Sequence, residues 1–153
     1  MRIVLLLLLS SSVCFSQSLD LNQLRASFLN ADQSEKQCNA LINQSVKWID
    51  SNDIAKAYHA VALMISSQFK LNPVSKWNTF KHSKNKLEEL IAINNSNLEM
   101  RFLRYCMQKK APSFLNYKDK IEEDERFLLR VDNHSNTDLL NFINPIIARL
   151  KDE

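Results

Sequence analysis

Residues 86–106 read KLEELIAINNSNLEMRFLRYC. Leu87, Leu90 and Ile91 recur at helical spacing, and the run stops at Asn94-Asn95-Ser96. A second run starts at once, with Leu98, Phe102, Tyr105 and Cys106 on one face. Ser96-Asn97-Leu98-Glu99 has the form of a capping box, in which Ser96 would bond the backbone N–H of Glu99 and Glu99 would reach back. Two helices are therefore joined through asparagines with no glycine between them. Asparagine enters left-handed backbone more readily than most residues, so it can do this turn work.

The rest of the chain follows the same grammar. None of its 153 residues is glycine, against roughly ten at average usage. That absence excludes the dinucleotide fingerprint, the phosphate-binding loop, the nucleophile elbow and the EF-hand turn, all of which need glycine. It also argues against β-hairpins, whose tight turns require positive φ. Breaks fall at Asn30-Ala31-Asp32, Asp50 to Asp53, Leu71-Asn72-Pro73, Lys110 to Ser113 and Asp132 to Asn136. Between them the apolar spacing is helical, with Asn72 as cap and Pro73 in the first turn of a fourth helix. That helix is expected to turn Val74, Trp77, Phe80, Leu87 and Ile91 inward. A sixth is expected from about Tyr117 to Val131, and a last one kinked or restarted at Pro145. The reading is all-α: about seven helices stacked as antiparallel hairpins in one domain, residues 17–153.

Residues 1–16 read as a signal peptide. Met1-Arg2 precedes an unbroken apolar run from Ile3 to Leu9, and Cys14 and Ser16 are the small residues before a cleavage ahead of Gln17. The apolar run is shorter than the ~20 residues a bilayer requires. Lipidation at Cys14 fits poorly, because Val13 stands where a small residue is wanted. The expected location is exported, periplasmic or secreted, with no stable membrane span.

Export leaves Cys38 and Cys106 in an oxidising compartment. A bridge between them would close a loop of roughly 68 residues and stabilise by up to ~4 kcal/mol. The alternative is two buried thiols acting as small apolar residues. Both sit at core-facing phases, so spacing leaves the choice open, with the thiol reading slightly preferred.

Lys86 to Asn97 is similar to the second helix and exit turn of a tetratricopeptide unit, although no strict repeat is present. A wider resemblance spans residues 72 to 128. Asn72-Pro73, Lys76, Phe80, Leu87-Glu88, Glu99-Met100-Arg101-Phe102-Leu103-Arg104, Pro112, Phe114-Leu115, Tyr117 and Glu123-Asp124 resemble a family of uncharacterised exported helical proteins of Bacteroidetes. The resemblance implies an all-α, tetratricopeptide-like fold and carries over no catalytic residue. This chain departs from that pattern at His82-Ser83 and Asn116, where glycine is expected.

Candidate chemistry is sparse. Asp132, His134, Asn136 and Asp138 alternate like a calcium loop, but Thr137 and Ile143 replace its glycine and closing glutamate. Ser83-Lys84-Asn85-Lys86 matches the Ser-x-x-Lys of serine acyl enzymes without a partner motif, and reads as a solvated helix face. Glu122 to Glu125 lacks the Glu-x-x-His partners of a di-iron bundle. His59, His82 and His134 have no suggestive neighbour in sequence, and no metal or cofactor is implied. Asn43, Asn94 and Asn133 begin glycosylation sequons, relevant only in a eukaryote.

Charge is more informative. Residues 66–110 carry nine basic and three acidic side chains, while residues 111–153 carry six and nine. Export makes nucleic acid an improbable partner, so the basic middle is expected to pack beside the acidic sixth helix. Arg101 and Arg104, three apart on the fifth helix, are expected to meet Glu123 and Asp124 in a structural ion-pair network. The alternative has the arginines line an anion pocket. The function that fits best is a non-catalytic exported scaffold that binds a protein or peptide partner. The alternatives are a secreted helical signalling ligand, and an enzyme with a site drawn from Arg101, Arg104, Tyr105, Tyr117 and a histidine.

Overall fold

The computed structural model describes residues 19–130 and 137–151. Among them it is all-helical, with seven α-helices and no strand: α1 (Leu21–Asn30), α2 (Glu35–Ser45), α3 (Asp53–Ser66), α4 (Pro73–Ile93), α5 (Leu98–Lys110), α6 (Ile121–Leu129) and α7 (Thr137–Lys151). Residues 1–16, expected to be a signal peptide, most of the calcium-like stretch and the Asn133 sequon lie outside the described residues. No described helix is long and apolar enough to cross a membrane.

Asparagine does the punctuation. Asn52, Asn72 and Asn97 cap α3, α4 and α5, each Oδ1 accepting backbone N–H groups of the first turn at 2.9–3.1 Å. Each such cap contributes about 1 kcal/mol. Asn116 is the only described residue with positive φ, at 46°, and it ends the 3-10 turn Ser113–Leu115. The capping box is corrected: Asn97, not Ser96, caps α5, and Glu99 turns into the core instead.

Consecutive helices from α1 to α6 pack as neighbours, and alternate helices also touch: α1 on α3, α3 on α5, α5 on α7. The centre is α3, where Ala55, Ala57, Ala60 and Ala62 are buried and let neighbouring backbones approach closely beside Tyr58 and Val61. On α5 every residue from Glu99 to Gln108 is buried. One cluster gathers α1 to α5 with Tyr117, and a second joins α5 to Leu128, Ile143, Ile147 and Leu150. Phe28 links them, meeting Tyr58 and Phe102 edge-on at 6.0 and 6.4 Å.

Three expectations are corrected. Val74 and Trp77 on α4 are 67% and 44% exposed, because the first turns of this long helix run past what could cover them. Tyr117 lies in the link before α6, not in it, although it is buried. Pro145 does not restart α7, which runs unbroken from Thr137 to Lys151.

Candidate functional site

The sequence-expected charges meet around Asp124, which is wholly buried. Arg101 Nε donates to its Oδ1 at 2.8 Å, and Arg104 donates from Nε to Oδ2 and from Nη2 to Oδ1, both at 2.7 Å. Arg101 Nη2 also reaches Glu123 Oε1 at 2.9 Å, and Arg104 Nη1 reaches Glu88 Oε2 at 2.8 Å. The Tyr117 hydroxyl donates to the other Glu88 oxygen at 2.6 Å. The Arg101 guanidinium lies over the Phe127 ring, 4.1 Å from its centroid. Burial works against the Arg104 charge, but hydrogen bonds to Asp124 and Glu88 outweigh it and hold its pKa above the ordinary arginine value. Burial, and then the Glu88 carboxylate, pushes the Tyr117 phenol well above its usual range. Every nitrogen of the Arg104 fork is engaged by a carboxylate. The arrangement fastens α5 to α4 and α6 and presents no open fork to an anion.

A second network escaped the sequence reading. The Arg25 guanidinium grips Glu99 bidentately, Nε to Oε1 and Nη2 to Oε2 at 2.8 Å each, and the Tyr58 hydroxyl adds a bond to Oε1 at 2.7 Å. All three side chains are buried, tying α1, α3 and α5 together. One signal was present: Arg25 lies inside the apolar face set by Leu21, Leu24 and Phe28.

The remaining candidates are placed as follows. His59 Nδ1 lies 3.1 Å from Ser45 Oγ, a pairing that sequence spacing did not suggest. Ser45 is wholly buried and its hydroxyl donates to the Leu41 carbonyl at 2.8 Å, so the pair staples α2 to α3 and has no exposed nucleophile. Burial pushes the His59 pKa down. Ser83 is buried rather than solvated, while Lys86 pairs with Glu89 at the surface. Cys38 and Cys106 are not bridged: each is a free, buried thiol in a different core cluster, and Cys38 Sγ donates to the Ala62 carbonyl at 3.3 Å. Burial pushes Cys38 up to about 11 and Cys106 up to about 12. The Tyr105 hydroxyl is buried with no protein hydrogen-bond partner among the described residues. No group of three or more His, Cys, Asp and Glu able to hold a metal occurs among the described residues.

A concavity lies elsewhere and no motif marks it. It is a groove of about 710 Å³ between the end of α1, the α3–α4 turn, the start of α4, the end of α5 with the following turn, and the last turns of α7. Met64, Phe80, Met107 and Leu150 are buried in its lining. At its rim Leu71, Phe114 and Trp77 are 100%, 78% and 44% exposed. Its charged lining residues are Lys76, Lys110, Arg149 and Asp32.

No family model, curated protein or solved structure matches the chain.

Proposed function

We propose that this chain is an exported, non-catalytic helical scaffold that holds a protein or peptide partner in the groove between α4, α5 and α7. The observation that carries the reading is the groove itself: large apolar side chains stand uncovered around a concavity with an apolar lining. Contiguous exposed apolar surface of this kind marks interaction sites, and tryptophan and phenylalanine at its rim are among the types enriched in interface cores. Contacts between alternate helices support a tetratricopeptide-like stack of hairpins, in which one row of helices runs continuously and the others lie beside it. The buried arginine–carboxylate networks serve that scaffold by fixing α5 against its neighbours. The N-terminal pattern of Met1 to Ser16 and the resemblance over residues 72–128 support export.

Site-specific photocrosslinking in the native cell tests the reading. A photoreactive residue at Trp77 or Phe114 should give adducts with the same protein, and one at Asn39, exposed on α2, should not. Adducts that are identical from Asn39, or absent from both groove positions, would overturn it.

A further inference from the structure

The groove also carries information about what it holds. Three cations, Lys76, Lys110 and Arg149, line it against one carboxylate, Asp32. Lys110 and Asp32 satisfy each other at 2.6 Å. Among the described residues neither Lys76 nor Arg149 has an ion-pair partner, so the groove keeps two positive groups contributed by α4 and α7. Among the described residues no carboxylate forms an ion pair with either. Glu88 and Glu99 are taken by Arg104 and Arg25, Glu89 by Lys86, and Asp124 by Arg101 and Arg104. The internal networks consume the arginines of the basic middle and leave Lys76 facing outward.

Two further features bear on the shape of the occupant. Met64 and Met107 contribute unbranched, polarisable surface that can repack around different apolar side chains. Leu71 and Phe114 line the groove at its rim and are largely exposed, so an occupant confined to the buried floor would leave them in water. A ligand that spans the rim as well as the floor and is apolar on one side covers them. An amphipathic helix laid along a groove meets that requirement, with anchors at i, i+3 or i+4, and i+7.

We propose that the occupant is an acidic amphipathic segment of a partner protein, its apolar face on Trp77, Phe114 and the methionine floor, and its carboxylates at Lys76 and Arg149. The assignment rests on the binding-module reading above and goes beyond it in naming the partner's chemistry. A single-chain fatty acid shares the apolar-plus-carboxylate character but would leave the rim uncovered.

The test uses three fluorescent helical peptides with one common leucine face and a polar face of Glu, Gln or Lys, with palmitate as competitor. At about 0.1 M ionic strength the Glu peptide should bind at least about tenfold more tightly than the Lys peptide. A Lys76→Glu/Arg149→Glu double variant should reverse that order, and Phe114→Asp should abolish binding of all three. These side chains line an open groove, and circular dichroism checks that each variant keeps its helix content. An order unchanged by charge reversal, with the Gln peptide still lost in Phe114→Asp, overturns the acidic assignment and leaves the groove as a binding site. Peptide binding untouched by Phe114→Asp overturns both. Palmitate binding that displaces every peptide and is lost on charge reversal makes the ligand an acyl anion and overturns the peptide assignment.

Discussion

Arg101 and Arg104 converge on a single buried carboxylate, Asp124, with three hydrogen bonds of 2.7–2.8 Å shared between them. Two cations on one anion would be overcharged. Glu88 and Glu123 each reach one of the arginines, and Lys120 on Glu123 brings the three cations and three anions into balance. Removing Asp124 leaves two guanidinium groups buried without their common partner, which costs ~3–5 kcal/mol. Asp124→Asn, nearly isosteric, should therefore lower the melting temperature by roughly 10 °C or more at this chain length. Glu123→Gln, at a half-exposed residue, should cost under ~1 kcal/mol. An Asp124→Asn protein that melts with wild type would contradict a structural role for the network.

Arg25 and Glu99 are 74 residues apart and should be energetically coupled. Arg25→Met and Glu99→Gln should each destabilise strongly, and the double variant should be less destabilised than the two effects added. A double-mutant cycle in urea reads the difference directly. Strict additivity would mean that the geometry carries no coupling.

Acid should weaken the protein partly through His59. Burial lowers its pKa from the ordinary 6.5, so between the folded value and 6.5 the unfolded chain binds more protons than the native one. Stability is then full above pH 6.5 and falls as pH drops below it. His59→Gln should flatten that part of the stability–pH curve. Equal slopes in the two proteins would show that His59 titrates alike folded and unfolded.

Alkali works in the opposite sense on the buried phenols and thiols. Tyr58, Tyr105, Tyr117, Cys38 and Cys106 are all raised by burial. Their contribution is complete below the unfolded values, about 8.5 for Cys and 10 for Tyr, and is lost as pH rises above them. In the native protein neither thiol should react with a disulfide reagent near pH 8, and both should titrate after unfolding without reductant. Fewer than two thiols on unfolding would indicate a bridge.

Much of the fold could be read because the breaks between apolar runs carry asparagine, and Asn52, Asn72 and Asn97 there mark three helix starts directly, while Asn39, Asn43, Asn78 and Asn85 lie inside helices and mark nothing. Arg101, Arg104 and Asp124 could be brought together from sequence because a short link forces α5 and α6 into contact. Glu99 could not, because a glutamate three residues after a serine at a helix start looks like a capping residue, and its partner lies across the whole first half of the chain. Trp77 and Val74 show a different limit. Helical periodicity says which residues share a face, not whether another element covers that face. The groove was hidden for that reason, since its lining comes from five separate segments.

Trp77 reports most directly on whether the groove binds. A Trp48→Phe variant leaves it as the sole tryptophan, and circular dichroism checks that the variant keeps its helix content. Titrating the Glu-faced peptide into this protein should shift the Trp77 emission saturably to the blue as the half-exposed ring is covered, and Phe114→Asp should remove the shift. Saturable peptide binding by anisotropy with an unmoved Trp77 emission would place the site elsewhere and contradict the groove.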